Sequence, residues 1–136
     1  TLMKYPPGTI IDLNQADTTE LKKIPGIGSR IARSIVNHRR LLGGFYQIEQ
    51  LGEIRLKAEK LRSWFSVDAG KIHRININKA SVERMMHHPY INFYQAKVIA
   101  EYRKKKGKLR DLKQLALYEE FTSADFERIM PYICYD

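Results

Sequence analysis

The segment Pro25-Gly26-Ile27-Gly28 and the polar residues that follow it have types and a spacing that suit the binding of an anion. A glycine at the second position can take a positive φ where a helix ends, and the second glycine lets a ligand approach the backbone closely. If a helix begins there, its free N–H groups face one point of partial positive charge. We therefore predict a phosphate-binding site formed by Pro25, Gly26, Ile27, Gly28, Ser29, Arg30 and Arg33.

The chain between Asp17 and Gly43 predicts two helices that position this loop. Asp17 and Glu20 have the spacing of a capping box, so a short helix begins after Asp17 and ends before the loop. A longer helix follows from about Ser29 to Leu41, where two glycines stop it. Its apolar residues recur on one face, at Ile31, Ala32, Ile35 and Val36. The arginines after the loop then lie on the other, exposed side.

The chain is also a tandem repeat with a shift of 64 residues, because Ile11–Ala16 lies over Ile75–Ala80 without a gap. Further identities continue the match: Pro25 and Pro89, Ile27 and Ile91, Ala32 and Ala96, Ile35 and Ile99, Arg39 and Arg103, Gly43 and Gly107, and Gln50-Leu51 and Gln114-Leu115. A repeat this long indicates two copies of one supersecondary unit. We predict an all-α chain of two helical domains, residues 1–69 and 72–136, with the linker at residues 68–71.

The second copy keeps the place of the loop but loses both glycines. It reads His88-Pro89-Tyr90-Ile91-Asn92, in which Tyr90 and Asn92 replace them. Asparagine tolerates a positive φ better than most residues, so Asn92 is expected to help preserve the loop shape. Tyr90 at the loop tip would either hinder a phosphate or stack beside DNA. His88 takes the place of Ile24 and is expected in the core.

Lysines of the second copy supply a further basic surface. Lys97 takes the place of Arg33, and a basic run from Arg103 to Lys108 ends the long helix. This run is either a solvated helix end, where cations are favoured anyway, or an added stripe for the DNA backbone. The secondary DNA-binding residues that we predict are Tyr90, Asn92, Lys97, Lys104, Lys105, Lys106 and Lys108.

The composition narrows the function classes. The formal net charge is +9, which attracts polyanions such as nucleic acid or an anionic membrane face. Cys134 is the only cysteine, which excludes an internal disulfide and a cysteine-based zinc site. The histidines and acidic residues lack the spacing of a nucleophile, a metal site or a two-metal nuclease. We predict a binding module rather than an enzyme, with no catalytic residue, metal, cofactor or small-molecule substrate.

No apolar run approaches the roughly 20 residues that a membrane helix needs, and no signal peptide is visible. Because the chain begins at Thr1, an export signal or a membrane anchor could precede it. Contact with a membrane is therefore expected only through such an anchor.

These motifs resemble the ComEA-type competence DNA-binding proteins of bacteria and, more broadly, the helix-hairpin-helix superfamily. The resemblance is carried by Asp12-Leu13-Asn14-Gln15-Ala16-Asp17, Leu21-Lys22-Lys23-Ile24-Pro25-Gly26-Ile27-Gly28, Ala32, Ile35, Arg39, Gly43-Gly44-Phe45 and Gln50-Leu51. It implies two tandem SAM-like, all-α domains that bind double-stranded DNA through hairpin amides. Competence proteins of this type are anchored outside the cytoplasmic membrane. The resemblance thus implies an extracytoplasmic location if that role holds, and a cytoplasmic one otherwise.

The resemblance also implies a second hairpin in each copy, and neither has its glycines. Copy one passes from Leu51 to Leu61 where copy two passes from Leu115 to Ile129, so copy one is shorter here by four residues. Copy two has the length, but Glu119-Glu120-Phe121-Thr122-Ser123 carries two carboxylates that would repel phosphate. The first hairpin is therefore expected to carry the ligand.

We expect binding of DNA through its phosphates, without sequence preference, and the resemblance implies a duplex and a role in DNA uptake. Two alternatives stay open. Decayed hairpins can keep the fold and serve as a protein-interaction scaffold. The chain can also be the DNA-binding part of a larger repair protein.

Overall fold

A computed structural model describes residues 3–136 and shows short helices joined by tight turns, so the all-α class is confirmed. The chain divides into two compact units, of which the first extends to Ile72 and the second spans His73–Asp136. Within the described residues, no helix is both long and apolar enough to cross a membrane.

The helices of the first unit are α1 (Thr18–Lys22), α2 (Ser29–Leu42) and α3 (Ala58–Leu61), with 3-10 turns at Ile48–Ile54, Arg62–Trp64 and Ala69–Lys71. The predicted capping box is present, because the Asp17 carboxylate accepts from the Glu20 N–H and Glu20 accepts from the Asp17 N–H. Gly43 ends α2 in the left-handed region, at a φ of 90°. The core is apolar and includes Leu13, Leu21, Ile24, Ile27, Ala32, Ile35, Leu42, Phe45, Leu51 and Phe65.

The second unit repeats this arrangement with α4 (Val82–Met86), α5 (Phe93–Lys106) and α6 (Ser123–Ile129), and with 3-10 turns at Leu112–Leu115 and Met130–Tyr132. Ser81 caps α4, and Gly107 ends α5 at a φ of 92°. The buried residues include Ile75, Ile77, Met85, Ile91, Ala96, Ile99, Leu109, Leu115, Ile129 and Tyr132. His88 is also buried, as its alignment with Ile24 predicts.

Each unit is closed by a pair of two-residue parallel strands, which the sequence did not reveal. Strand β1 (Ile11–Asp12) pairs with β2 (Phe65–Ser66), and β3 (Ile75–Asn76) pairs with β4 (Ile133–Cys134). Two residues are too few to show the alternation that marks a strand. Ile75 lies 64 residues after Ile11, whereas Ile133 lies 68 after Phe65, which confirms that copy one is four residues shorter.

Matched polar side chains hold the same loop in both units. The Asn14 amide donates from Nδ2 to the Phe45 carbonyl at 2.9 Å, and its Oδ1 accepts from the Phe45 N–H at 2.6 Å. Asn78 makes the equivalent pair with Leu109, at 2.9 and 2.8 Å. These asparagines satisfy backbone groups that would otherwise be buried without a partner.

Arg39 and Arg103 are a second matched pair, and both point inward. Arg39 Nη1 donates to the carbonyls of Leu13 and Ala16, at 3.0 and 2.7 Å. Arg103 Nη1 donates to the carbonyls of residues 77 and 80, at 2.7 and 2.6 Å. Burial lowers the pKa of Arg39, although the nearby Asp12 and Asp17 oppose that shift. These hydrogen bonds make the two arginines part of the scaffold.

Candidate nucleic-acid interface

The loop between α1 and α2 forms the first hairpin, and each of its residues takes a distinct role. Gly26 lies at a φ of +91°, which a side chain rarely permits, so this glycine is needed for the turn. Ile27 is 1% exposed and anchors the loop in the core. Pro25 and Gly28 are exposed. Gly28 has an ordinary φ of −97°, and a Cβ there would meet nothing within 4 Å. The space outside Gly28 is therefore open to a ligand.

The N-terminus of α2 is uncapped. Gly28 occupies the N-cap position, and no side chain accepts a hydrogen bond there. In the described part of the chain, the backbone N–H groups of Gly28, Ser29, Arg30 and Ile31 have no acceptor. Their donors and the positive end of the helix dipole point outward at one place, which is the arrangement that binds phosphate.

The exposed side of α2 continues this site as a basic face, which we define as Arg30, Arg33, Asn37 and Arg40. Helical spacing aligns these residues along one side, and all are exposed. Arg40 Nη2 donates to Asn37 Oδ1 at 2.6 Å, which orients it. Ser29 is also exposed, at the first residue of the helix. The structure thus places the predicted residues around one uncapped helix end.

Lys4 lies behind the loop and has no counterpart in our sequence predictions. Its Nζ donates to the carbonyl of Lys22, and at 3.4 Å to those of Ile24 and Ile27. The Tyr5 N–H donates to the Lys23 carbonyl at 2.8 Å and holds this segment in place. The ammonium group bonds the carbonyl at the end of α1 and two carbonyls of the loop, and it adds positive charge beside the site. A lysine 18 to 23 residues away from its partners leaves no local sequence pattern.

Tyr90 corrects one prediction for the second unit. The alignment predicts it at the loop tip, but the residue is only 8% exposed. The ring packs edge-on against His88 and Tyr132, with centroids 5.2 and 5.6 Å away, and the Arg128 guanidinium lies 4.0 Å from its centroid. Tyr90 therefore does not lie exposed at the loop tip, because its ring packs against Tyr132, which is distant in sequence.

Asn92 is also used differently from the prediction. Its φ is −89°, so its tolerance of positive φ plays no part. Its Oδ1 accepts from the Gln95 N–H at 2.8 Å, and its own N–H donates to Gln95 Oε1 at 3.0 Å. This capping box uses two amides whose equivalents in the first hairpin are free. The Asn-x-x-Gln spacing in the sequence was the signal for it.

The outer face of α5 differs in composition from the basic face of α2. At the 64-residue shift, the residues matching the basic face are Tyr94, Lys97, Glu101 and Lys104, and Phe93 matches Ser29. The lysines predicted for a secondary DNA-binding site are all exposed. They are Lys97, Lys104, Lys105, Lys106 and Lys108. Phe93 and Tyr94 are exposed aromatic residues that our sequence predictions do not include. The signal that indicates their exposure is their position in the sequence, which lies outside the helical repeat of buried apolar residues in α5.

The described residues hold no group of three or more His, Cys, Asp or Glu side chains that could bind a metal ion. The exposed groups near the two hairpins include backbone amides, cationic side chains and aromatic rings.

Comparison with known proteins adds a family and distant relatives. A family model described as "Helix-hairpin-helix motif" matches residues 7–62 and 70–134. Relatives named "Endonuclease/exonuclease/phosphatase family domain-containing protein 1" include those of Xenopus laevis, 23% identical over 144 residues, and Danio rerio, 28% identical over 141 residues. Both alignments cover 88% of this chain and 26% of the relative, so the chain spans about a quarter of their length. No solved structure gives a significant match.

Proposed function

The chain belongs to the helix-hairpin-helix family, whose motif suggests nucleic-acid binding, and from this premise we propose that its first hairpin binds the backbone of double-stranded DNA without sequence preference. The observation that carries the proposal is the uncapped N-terminus of α2 beside two exposed arginines. No carboxylate side chain caps these amides, so an external anion is the partner that would satisfy them.

In this proposal one phosphate accepts hydrogen bonds from the amides between Gly28 and Ile31, where the open space at Gly28 allows a close approach. Gly26 shapes the turn and Ile27 anchors it, while Pro25 ends the preceding helix. Ser29 donates from its hydroxyl group. Arg30 and Arg33 neutralise the neighbouring phosphates. These groups contact phosphate and sugar, not base edges, so they give affinity without sequence readout.

A fluorescence-anisotropy titration of a labelled duplex at several salt concentrations tests this function. Two or three neutralised phosphates give a slope of about −2 to −3 in log association constant against log salt. The G28D/R33E variant introduces repulsion at the site, and we expect an affinity loss of about a hundredfold. Scrambling the duplex sequence should leave the affinity unchanged.

The second unit supplies a control with the same change in charge, the N92D/K97E variant. We expect it to lose no more than about threefold in duplex affinity, because its helix end is already capped. Equal losses in the two variants would assign the binding to overall charge and contradict a site at the first hairpin. Binding that is absent at low salt would contradict the function itself and favour a scaffold role.

We further infer that this module binds without cutting, and that it serves a larger nuclease or repair protein. The relatives' printed name refers to an endonuclease/exonuclease/phosphatase family domain, and the chain matches about a quarter of their length. This observation favours the repair setting over the DNA-uptake role that the ComEA resemblance implies.

An immunoblot with antibodies against residues 3–136 should detect a native protein much larger than 15.9 kDa. A native protein of only 15.9 kDa would contradict the setting in a larger protein. Nicking of plasmid DNA by the purified module would contradict the inference that it binds without cutting.

A further inference from the structure

Two aromatic side chains stand exposed at the start of α5, and we call Phe93 and Tyr94 the aromatic pair. Phe93 is 45% exposed and Tyr94 is 67% exposed. Their rings meet edge to face, with centroids 5.4 Å apart and an interplanar angle of 74°. Neither ring belongs to the buried core of the unit. Adjacent rings held at the surface offer a base-stacking surface that the fold does not require.

Cationic side chains continue the outer face of α5 beyond the aromatic pair. Lys97 follows one helical turn later, and Lys104 lies about 16 Å from Phe93 along the helix axis. Glu101 lies between the two lysines on this face and is also exposed. Aromatic rings followed by lysines at this spacing suit a ligand that carries flat rings and negative charges in one chain, which is single-stranded nucleic acid.

At the helix end beneath the aromatic pair, two of the amides that match the proposed phosphate site of the first hairpin are already occupied. Asn92 and Gln95 use each other's amides, and Gln95 Nε2 also donates to the Glu120 carbonyl at 3.1 Å. This end of α5 thus offers fewer free amides than the start of α2, and its largest exposed side chains are aromatic.

We propose that the aromatic pair stacks on unpaired bases of single-stranded DNA, while Lys97 and Lys104 neutralise its phosphates. This site differs in ligand and location from the duplex site at the first hairpin. It shares with the proposed function only the premise that the partner is a nucleic acid. An apolar protein partner or a second copy of the chain would also cover exposed rings, and the lysines beside the pair are the reason to favour nucleic acid.

Anisotropy titrations of the full chain with a labelled oligothymidylate and with a duplex of equal length test the proposal. The F93A/Y94A variant should weaken single-strand binding at least tenfold, because it removes both rings on which bases would stack. Its duplex affinity should stay within about twofold. The S29A/R30A variant, altered at the matched positions of the first unit, should show the reverse pattern. The Y94F variant keeps the ring and should bind the single strand like the wild type.

An oligonucleotide of the same length with abasic positions separates stacking from charge. The wild-type chain should bind it about tenfold more weakly than oligothymidylate, whereas F93A/Y94A should bind both equally. Circular dichroism of the variants should match the wild type, because both side chains are exposed.

Wild-type single-strand affinity in F93A/Y94A would overturn the proposal, as would equal losses on abasic and base-containing strands. A wild-type dimer in sedimentation that F93A/Y94A dissociates, with no change in single-strand affinity, would assign the pair to self-association instead. If the chain binds the single strand but not the duplex, the proposed function is contradicted. The proposal for the aromatic pair is then still supported by the single-strand measurements.

Discussion

The two units have almost the same net charge but differ at the N-terminus of the long helix. Residues up to Ile72 contain 12 Lys and Arg against 7 Asp and Glu, and His73–Asp136 contains 12 against 8. The helix α2 begins at an uncapped Gly28 followed by Ser29 and Arg30, whereas α5 begins at a self-capped Asn92 followed by two aromatic residues. Net charge does not distinguish the two hairpins, so the free amides and the residues beside them must do so.

The residues that the units share are mainly structural. The matched asparagines and the inward arginines hold the same backbone carbonyls in both copies. Among the exposed residues, those on the outer sides of α2 and α5 differ between the units. The shared polar contacts therefore belong to the scaffold, whereas the surfaces on which we place the ligands differ.

The largest effect that we expect is on stability, from removing an inward arginine. Arg39→Ala should lower the free energy of unfolding of the first unit by about 2–3 kcal/mol, because two charge-assisted hydrogen bonds to buried carbonyls are lost. Arg103→Ala should do the same to the second unit. Urea unfolding followed by amide hydrogen exchange in each unit measures both. Arg40→Ala, on the exposed face, should cost under about 0.5 kcal/mol. A similar cost for Arg40 and Arg39 would contradict the assignment of Arg39 to the scaffold.

A smaller effect should follow from removing the ammonium group behind the first hairpin. Lys4→Met keeps most of the side chain but removes the donor to the carbonyls of Lys22, Ile24 and Ile27. We expect duplex affinity to fall about fivefold, as the loss of one partly screened charge and of loop order implies. Lys60→Met removes an exposed charge elsewhere in the same unit and should change the affinity by less than twofold. Equal losses would show that Lys4 contributes only to net charge.

Local patterns in the sequence predicted the features that depend on neighbouring residues. The capping box at Asp17, the turn at Gly26 and the span of α2 all follow from spacing within a few residues. These features define the first hairpin, and the structure confirms each of them.

Features that depend on distant partners were not predictable in this way. The burial of Tyr90 depends on Tyr132, and the placement of Lys4 depends on carbonyls at least 18 residues away. The strand pairs join residues more than 50 positions apart. The capping box at Asn92 was visible as a spacing, but Asn92 was interpreted as a substitute for glycine, which hid its capping role.

The most direct test transfers the cap of the second unit into the first. The G28N/I31Q variant places an Asn-x-x-Gln pair at the start of α2, without changing the net charge, and I31Q alone is the control. Relative to I31Q, the cap should raise the free energy of unfolding of the first unit by about 1 kcal/mol and slow amide exchange at positions 28 and 31. Duplex affinity should fall about tenfold, because the amides proposed to hold the phosphate are then occupied. A variant that gains the cap and keeps wild-type duplex affinity would contradict the central claim that the free amides of α2 bind DNA.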